Sequence, residues 1–520
     1  MRKDRVGAAT DSLAGLLEVG AGEAPSIRAP GRPALTYAGL RTHVDAIGRQ
    51  LAGRGIARAD KIAIVLPNGP EMATAFLAVA GAAVAAPLNP AYTANEVEFY
   101  LKDLGAKALI VAQSESGAAI AGAERCGVQL LRIRTKEGDA AGLFALAEDG
   151  PATALSPQQA DQPALVLHTS GTTSRPKIVP LSHGNLAASA RHIAATLALG
   201  PGDAGLNIMP LFHIHGLIAA LLAPLAKGGA IIAAPGFNAL KFFSWLEAER
   251  PTWYSAVPTM HQAILERAAR NAGVASKAKL RFIRSSSASL PPQVFHALEA
   301  TFGCPIIESY GMTEACHQMT SNPLPPGARK PGSVGLAAGP EVRIADDSGG
   351  LLAPGAEGEV VIRGPNVTAG YENNAKANGE AFFAASDGGR SWFRTGDLGR
   401  MDGEGYLTIS GRIKEIINRG GEKIAPREVD EVLLDHPAVA QAVTFAVPHA
   451  KLGEDVAAVV VAREGVSVAE DELRKFASER LAAFKVPRRV LVLAEIPKGA
   501  TGKVQRIGLA QKLARELGLD

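Results

Sequence analysis

The sequence predicts an α/β protein with a large N-terminal domain of α/β sheet layers, a β-barrel-like region and a small α+β C-terminal domain. Apolar, strand-like runs alternate with helical patterns through the first four hundred residues. This alternation is typical of buried, mostly parallel strands that are joined by helices. From about residue 340 the strand-like pieces become short and are separated by Gly and Asp, which indicates an antiparallel region.

The strand–helix alternation is clearest near the N-terminus. The run "KIAIVLPNG" predicts a strand before the helix "PEMATAFLAVAGAAV", and "AKALIVAQS" predicts a strand before the helix "ESGAAIAGAERCG". Two Ala-rich stretches, "MATAFLAVAGAAVAAPLNP" and "GLIAALLAPLAKGGAIIAAPGF", are interrupted by Pro, Lys or Gly. Neither reaches the ~20 apolar residues that a bilayer requires, so each predicts a buried helix followed by a buried strand.

The antiparallel region and the C-terminal domain follow in order. The pieces "EVRIADD", "GEVVIRG" and "GYLTISG" predict strands between residues 340 and 410. Beyond them the pattern predicts the helices "PREVDEVLLDHP" and "AEDELRKFASERL" and the strands "AVTFAVP", "VAAVVVA" and "RRVLVL". We therefore place a domain boundary near Gly411, with domains at residues 1–410 and 411–520.

Composition and charge give weak support to macromolecular partners. The 520 residues are 47% hydrophobic and 20% charged, and the net charge is only +3, too small to favour nucleic acid or an anionic membrane surface. Three cysteines without a CxxC pair argue against a disulfide framework. The N-terminus lacks the long apolar segment of a signal peptide. We expect a cytoplasmic monomer or homodimer.

A loop rich in hydroxyl groups suggests phosphate binding. The stretch "TSGTTSRPK" gathers four threonine and serine residues around one glycine and ends in Arg175, Pro176 and Lys177 after a further serine. Many backbone and hydroxyl donors in a small volume are what a polyphosphate needs. The spacing is not that of a Walker A motif. By composition alone, an ordinary Ser/Thr/Pro turn is the more common interpretation of such a stretch.

Seven motifs in a fixed order give the chain a resemblance to a known group. It resembles the adenylate-forming superfamily of acyl-CoA synthetases, luciferases and peptide-synthetase adenylation domains. The motifs are "TSGTTSRPK" (169–177), "MPLFHIHGL" (209–217), "RSSSASLPP" (284–292), "ESYGMTE" (308–314), "WFRTGDLG" (392–399), "GRIKEIINRGGEKIAPREVD" (411–430) and "PKGATGKVQR" (497–506). The resemblance implies ATP-dependent activation of a carboxylate to an acyl-adenylate, release of pyrophosphate and transfer to CoA, with ATP, Mg²⁺ and coenzyme A as cofactors.

The resemblance also implies roles for individual residues in nucleotide binding. The phosphates would be held by the loop residues Thr169, Ser170, Gly171, Thr172, Thr173 and Lys177. Near the adenine would lie Ser287, Ala288, Glu308, Tyr310 and Gly311, with the Tyr310 ring stacked on the base. Asp397 would accept hydrogen bonds from both ribose hydroxyls, and Arg412 would make a second contact near the ribose.

A second set of residues is implied to take part in the reaction itself. Thr313 and Glu314 would hold the α-phosphate and Mg²⁺, because a hard cation prefers oxygen ligands. Lys503 would bridge the substrate carboxylate and the α-phosphate, where an ammonium offsets their repulsion most at the transition state. His213 would gate the acyl pocket. Lys414 would be the hinge of a mobile C-terminal domain, and Gly420 and Gly421 would let the pantetheine arm of CoA pass close to the backbone.

The candidate acid-binding residues are polar or cationic. The stretch "GGAIIAAPGFNALKFFSW" contains no acidic residue, whereas an amino-acid activator needs one to pair with the substrate amine. The side chains of His215, Arg284, Ser287, Ser289 and His317 could instead satisfy a second carboxylate on a very small acid. Ser174 and His317 resemble the oxalate–CoA ligase branch of the superfamily, whereas Ile178 stands where relatives mostly have glycine.

Several alternatives remain at this point. The same chemistry could act on malonate, an aryl acid or a medium-chain acid, or deliver the acyl group to a carrier protein in place of CoA. A catalytically inactive nucleotide or metabolite sensor is an alternative of another class. The presence of Lys503, Glu314 and Asp397 favours an enzyme, because sensors that derive from enzymes commonly lose such groups.

Overall fold

In the computed structural model of the chain, the described residues are 11–148, 150–169, 176–497 and 506–518. They divide into two compact units. The first unit comprises residues 11–169, 176–342 and 362–393, and the second comprises residues 343–361 and 394–518, within the described ranges. The boundary near Gly411, between residues 1–410 and 411–520, stays a prediction.

The strands occur throughout both units. In chain order they are β1 (Pro25–Arg28), β2 (Leu35–Thr36), β3 (Lys61–Val65), β4 (Val84–Pro87), β5 (Ala108–Ala112), β6 (Gln129–Arg134), β7 (Ala145–Leu146), β8 (Pro163–Thr169), β9 (Lys177–Ser182), β10 (Ala204–Asn207), β11 (Ala230–Ala233), β12 (Trp253–Ala256), β13 (Phe282–Ser285), β14 (Ile306–Met312), β15 (His317–Ser321), β16 (Leu336–Ala337), β17 (Glu341–Ala345), β18 (Glu357–Arg363), β19 (Phe382–Phe383), β20 (Trp392–Met401), β21 (Leu407–Arg412), β22 (Ile417–Arg419), β23 (Glu422–Ile424), β24 (Val439–His449), β25 (Gly453–Ala462) and β26 (Arg489–Val492).

The helices are mostly short. The α-helices are α1 (Leu13–Leu17), α2 (Tyr37–Gly53), α3 (Pro70–Ala82), α4 (Ala94–Leu104), α5 (Ala118–Cys126), α6 (His183–Thr196), α7 (Ala223–Leu225), α8 (Phe242–Glu249), α9 (Pro258–Ala268), α10 (Ala272–Ala275), α11 (Pro292–Phe302), α12 (Ala375–Ala381), α13 (Pro426–Leu434), α14 (Glu470–Ser478), α15 (Leu509–Lys512) and α16 (Ala514–Leu517). A π-helix spans His215–Leu222, and 3₁₀ turns span Ala269–Asn271, Thr313–Ala315, Ile413–Glu415 and Ala483–Lys485.

Two large sheets form the framework of the first unit. The nine-stranded sheet has the order β16-β15-β14-β13-β12-β10-β11-β1-β2, and the seven-stranded sheet has the order β7-β6-β5-β3-β4-β8-β9. Strands β14 to β1 of the first order and β6 to β8 of the second run parallel, and the flanking pairs are antiparallel. The predicted strand–helix pairs are confirmed as β3 with α3 and β5 with α5.

The two Ala-rich stretches are buried, as predicted. The helix α3 is buried except for Glu71, and the following β4 is fully buried. The second stretch forms the π-helix, α7 and then β11. The end of the π-helix keeps its wide pitch because the N–H of Ala223 donates to the carbonyl of Ile218. Pi-helical segments occur most often at functional sites. No helix among the described residues is both long and apolar enough to span a membrane.

The antiparallel region forms as predicted. The pieces "EVRIADD", "GEVVIRG" and "GYLTISG" supply β17, β18 and β21. The five-stranded sheet has the order β17-β18-β20-β19, and β21 also pairs with the long strand β20. The pairing of β20 with β21 places Asp397 opposite Arg412.

A five-stranded sheet is the core of the second unit. Its order is β23-β22-β25-β24, with β26 parallel to β25. Successive residues of β25 pack on opposite faces, so that Val456, Ala458 and Val460 contact the cluster that includes α13 and α14. The alternate residues Ala457 and Val459 contact the cluster that includes α15 and α16. Because both faces are covered, this strand is a continuous apolar run in the sequence.

Candidate active site

Three strands of the nine-stranded sheet and the π-helix carry polar side chains to one place in the first unit. Ser255 lies on β12 and Arg284 on β13, His317 begins β15, and His215 begins the π-helix that follows β10. Strands β12, β13 and β14 are parallel neighbours. Side chains near the carboxyl ends of such strands are the usual place for ligands in α/β sheets.

The Arg284 guanidinium is the centre of this cluster. Its Nη1 lies 3.1 Å from His317 Nε2, 3.4 Å from His215 Nε2 and 3.4 Å from Ser255 Oγ. Its Nη2 donates to Gln318 Oε1 over 3.3 Å. The rings of His215 and His317 stack at 4.7 Å between centroids. We refer to Ser255, His215, Arg284, His317 and Gln318 as the arginine cluster.

The hydrogen bonds of the cluster constrain its histidines. A guanidinium only donates, so His317 Nε2, which lies 3.1 Å from Arg284 Nη1, is the acceptor in that contact. His215 Nε2 lies 2.6 Å from Ser255 Oγ, and His215 Nδ1 lies 3.0 Å from Ser287 Oγ. A hydroxyl can donate or accept, so the two serines suit either tautomer of His215.

Arg284 is a fully buried charge without a carboxylate partner. It is 0% exposed, and within the described ranges no Asp or Glu side chain forms an ion pair with it. Burial lowers the pKa of the Arg284 guanidinium to about 9, which leaves it charged at neutral pH. Arg284 Nε and Ser289 Oγ are both buried without a hydrogen-bond partner among those residues. An isolated buried cation and unsatisfied donors are costly, so this site is suited to an anion.

The backbone around the cluster adopts conformations that side chains rarely take. Ser287, Cys316 and His317 have φ angles of 72°, 49° and 90°. Non-glycine residues in this region cost roughly 1–3 kcal/mol each and concentrate at functional sites. The turn at Cys316 and His317 is what directs the His317 ring to Arg284, next to the 3₁₀ turn Thr313–Ala315.

The residues predicted near adenine lie beside the cluster. Ser287 and Tyr310 are half-buried, Ala288 is exposed, and Glu308 is buried and accepts from the N–H of Gly332 at 3.2 Å. Gly311 approaches β15 closely, since a Cβ there would meet the His317 carbonyl oxygen at 1.6 Å. A side chain at this position would displace His317.

Glu314 and Lys177 meet a tyrosine that the sequence analysis did not select. Glu314 is buried and Thr313 is half-buried. The hydroxyl of Tyr371 donates to Glu314 Oε1 at 2.9 Å, and Lys177 Nζ lies 4.3 Å from the centroid of the Tyr371 ring. His213 is half-buried, with its ring 4.6 Å from that of Phe212.

The ends of the hydroxyl-rich loop are defined by an antiparallel strand pair. Thr169, the last residue of β8, pairs with Lys177, the first residue of β9, and His168 pairs with Ile178. Ile178 is buried, so the residue that departs from the family pattern fills the space under this strand pair. The predicted phosphate ligands Ser170, Gly171, Thr172 and Thr173, with Ser174 and Arg175, lie outside the described residues.

The second unit brings the two predicted ribose residues together. Asp397 is buried, and its Oδ1 lies 3.0 Å from Arg412 Nε. Lys414 is exposed in the turn Ile413–Glu415. Gly420 and Gly421 form the tight turn between β22 and β23 with φ angles of 63° and 99°, a conformation that favours glycine.

Lys503 lies outside the described residues. The residue that resumes the chain, Arg506, is anchored within the second unit, since it is 2.6 Å from Asp430 Oδ2 and 3.2 Å from Glu415 Oε2. Glu415 follows directly after Lys414 in the sequence. The described chain therefore resumes after Lys503 at a partly buried ion-pair network.

Three residues of the site had no signal in the sequence. Ser255 and Gln318 are single polar residues within strands, and Tyr371 stands in the loop "TAGYENN". Gln318 is held by Thr196 Oγ1 and the Ala338 carbonyl at 3.1 and 3.0 Å, so that its amide oxygen faces Arg284.

Two family models match the chain. The AMP-binding enzyme family matches residues 20–372, and the AMP-binding enzyme C-terminal domain matches residues 428–503.

Characterised or named relatives match over nearly the whole length. A probable CoA ligase, CCL9, from Humulus lupulus is 47% identical over 97% of this chain and 97% of its own. An oxalate–CoA ligase from Arabidopsis thaliana is 45% identical over 96% of this chain and 98% of its own. A sulfoacetate–CoA ligase from Cupriavidus necator is 38% identical over 96% of this chain and 97% of its own.

Solved structures share the architecture. MatB from Rhodopseudomonas palustris with bound ATP superposes with a TM-score of 0.87 at 30% identity, over 97% of this chain and 99% of that chain. The o-succinylbenzoate CoA synthetase MenE from Bacillus subtilis, with ATP and magnesium, gives a TM-score of 0.80 at 30% identity. The match covers 96% of this chain and 98% of that chain.

Proposed function

This chain belongs to the AMP-binding enzyme family and is an adenylate-forming CoA ligase that uses ATP, Mg²⁺ and CoA, and from this premise we propose that its carboxylic acid is oxalate. The proposal is carried by one observation, the fully buried Arg284 that lacks a carboxylate partner among the described residues. Oxalate has two carboxylates. One reacts with ATP, and the other pairs with Arg284.

The chemistry of the arginine cluster disfavours acids with one charged end. A fatty or aryl acid would leave the guanidinium unpaired beside an apolar group, and an unpaired buried charge is costly. A planar guanidinium binds a carboxylate through two parallel N–H···O bonds. The unsatisfied Nε of Arg284 and Ser289 Oγ supply donors for such an anion.

Named relatives support an acid with two anionic groups. One is named for oxalate and another for sulfoacetate, and each of these acids carries two acidic groups on two carbons. The relative named for oxalate shares the higher identity, 45% against 38%.

The reaction has two steps. A carboxylate oxygen attacks the α-phosphorus of ATP, and as this bond forms the bond to pyrophosphate breaks. The sulfur of CoA then attacks the acyl carbon, its proton is lost, and AMP leaves with the bonding electrons. We assign Thr169, Ser170, Gly171, Thr172, Thr173 and Lys177 to the phosphates, Ser287, Ala288, Glu308, Tyr310 and Gly311 to the base, and Lys503 to the first step.

Glu314 is the candidate residue for holding Mg²⁺, with Thr313 beside it on the α-phosphate. Its carboxylate is a hard oxygen donor of the kind that Mg²⁺ prefers. The cation, when bound, neutralises negative charge on the phosphates as pyrophosphate leaves. In the second step, we assign the hinge to Lys414 and passage of the pantetheine arm to Gly420 and Gly421. His213 is assigned to the entrance of the acyl pocket.

The acid specificity can be tested by ATP–pyrophosphate exchange with oxalate, sulfoacetate, malonate, acetate, benzoate and octanoate. We expect oxalate to give the highest kcat/KM, about 10-fold or more above malonate, because one methylene changes binding by roughly 1–3 kcal/mol. Exchange with octanoate but not with oxalate would overturn the proposal. A parallel assay should show oxalyl thioester formed on free CoA, and failure to release any pyrophosphate would instead identify a sensor.

The ribose assignment can be tested with Asp397→Ala and a nucleotide that lacks the hydroxyls. We expect kcat/KM for ATP to fall about 10- to 100-fold, since a carboxylate that accepts two hydrogen bonds contributes roughly 1.5–3 kcal/mol. With 2′,3′-dideoxy-ATP the variant and the wild type should differ little. Arg412→Met removes the ion pair together with the second predicted contact near the ribose, while the Asp397 carboxylate remains, and should cost less than Asp397→Ala. An equal loss with both nucleotides would show that Asp397 acts only through the fold.

A further inference from the structure

The segment Thr368–Glu372 joins two parts of the nucleotide site within the first unit. The N–H of Thr368 donates to the carbonyl of Glu314 at 2.7 Å, and its hydroxyl donates to the Pro180 carbonyl at 2.7 Å. The N–H of Glu372 donates to the carbonyl of Ile178 at 3.0 Å. The segment therefore links the turn that carries Glu314 to β9, which begins at Lys177.

Tyr371 is the side chain at the centre of this link. Its hydroxyl donates to Glu314 Oε1, and the face of its ring lies beneath Lys177 Nζ. The residue is 8% exposed. Its backbone is held on both sides by Asn378, whose Oδ1 accepts from the Tyr371 N–H at 2.7 Å and whose Nδ2 donates to the Tyr371 carbonyl at 2.9 Å. The ring and the hydroxyl are thus fixed relative to β9 and the turn.

The same contacts give Lys177 and Glu314 a shared neighbour, the Tyr371 side chain. Lys177 forms no ion pair with a carboxylate anywhere in the described part of the chain, and its ammonium rests on the tyrosine ring. A cation is attracted to the negative face of an aromatic ring without losing its charge. The hydroxyl donates to Glu314 Oε1, and a carboxylate oxygen that accepts one hydrogen bond keeps a further lone pair for a cation. A direct ion pair between Lys177 and Glu314 would instead turn the two groups toward each other and away from a nucleotide.

We propose that Tyr371 is a positioning residue for adenylation, which sets Glu314 for Mg²⁺ through its hydroxyl and Lys177 for the ATP phosphates through its ring. The proposal rests on the roles proposed above for Glu314 and Lys177. It does not depend on which acid is activated.

Binding of ATP in the absence of any acid tests the proposal without catalysis. Calorimetric titrations with ATP should be made over a series of Mg²⁺ concentrations, and again in EDTA. For Tyr371→Phe we expect an apparent Mg²⁺ affinity about 10-fold or more weaker, because a hydrogen bond to a charged group is lost. Binding of ATP in EDTA should be unchanged, because the ring remains. Tyr371→Leu should weaken both.

Matched variants separate this role from loss of packing. Tyr92→Phe removes a hydroxyl from a different tyrosine, which is half-buried and stacks on Tyr100 at 4.8 Å, and should leave both titrations unchanged. Wild-type Mg²⁺ dependence in Tyr371→Phe, or an equal loss of affinity with and without the metal, would overturn the proposal.

The variant Glu314→Gln distinguishes failure of the Tyr371 proposal from failure of the assignment of Glu314 to the metal. If Glu314→Gln weakens the Mg²⁺ dependence and Tyr371→Phe does not, only the role of Tyr371 fails. If Glu314→Gln has no effect, the assignment of Glu314 to the metal fails with it.

Discussion

Arg284→Met should abolish activation of oxalate while the protein remains folded. Removing one partner of a buried charge pair costs about 2–5 kcal/mol, so kcat/KM for oxalate in ATP–pyrophosphate exchange should fall roughly 30- to 5000-fold. Methionine keeps much of the length of the side chain but cannot bind a carboxylate. The ratio of exchange with oxalate to exchange with acetate should fall by a similar factor, because acetate has no second carboxylate for Arg284 to bind.

Stability measurements distinguish this loss from misfolding. In the free protein the Arg284 charge is buried without a carboxylate partner among the described residues, and burial lowers its pKa, which shows that the fold disfavours the charged form. Replacing such a group with an apolar one is often neutral or stabilising. The change also removes the donor to the buried Gln318 Oε1 and His317 Nε2, which costs stability. Because the two effects oppose each other, the melting temperature of the free variant should stay within a few degrees of the wild type.

The stabilisation that oxalate gives on binding should be lost in Arg284→Met, in contrast to the stability of the free variant. Oxalate at about 100 times its Kd, with AMP present, should stabilise the wild type by about 2.7 kcal/mol, and this gain should vanish in Arg284→Met. Arg281→Met is the control. Arg281 lies three residues before Arg284 in the sequence, but it is exposed and pairs with Asp203 at 2.6 Å. If Arg284→Met retains the oxalate-induced stabilisation, the acid does not bind at the arginine cluster.

Lys503→Ala should separate the two half-reactions. We expect the rate of adenylate formation to fall about 10²- to 10³-fold or more, in the range seen when one preorganised group that stabilises transition-state charge is removed. Formation of the thioester from a supplied acyl-adenylate should continue, since the repulsion between the acid and the α-phosphate has already been overcome. The measurements are pyrophosphate release in single-turnover experiments and thioester formation from CoA and the adenylate.

A second lysine serves as the control for this experiment. Lys512 is exposed on α15, and Lys512→Ala removes the same charge from the same part of the sequence. It should leave both half-reactions unchanged. An equal loss of the two half-reactions in Lys503→Ala would contradict a role confined to the first step.

Most of the fold could be predicted because it follows from local patterns. The apolar runs of β3, β5 and β25 and the amphipathic pattern of α14 are properties of short segments, and each forms where it is predicted. The order of the strands had no such signal. Strand β1 lies beside β11, two hundred residues away, because that pairing depends on burial across the whole sheet. The sequence predicted a helix at "GLIAALL", but it gave no indication that this helix is a π-helix.

The candidate site was predicted in part. The substrate residues His215, Arg284 and His317 were selected as separate polar residues, and the structure brings their side chains within 3.4 Å. Ser289 was selected with them but makes none of these contacts. Ser255, Gln318 and Tyr371 were missed, because one serine, glutamine or tyrosine in a strand or loop carries no pattern that distinguishes a ligand from a packing residue.

The sequence by itself determined the class of reaction, because seven motifs in a fixed order identify the groups that an adenylate-forming enzyme needs. It also predicted strands such as β3, β5 and β25 and helices such as α3, α5 and α14, since periodicity is a local property. Only the tertiary structure decided that Arg284 is a buried charge without a carboxylate partner among the described residues, and that Tyr371 lies between Lys177 and Glu314. Charge compensation depends on neighbours in space, and those neighbours come from positions far apart along the chain.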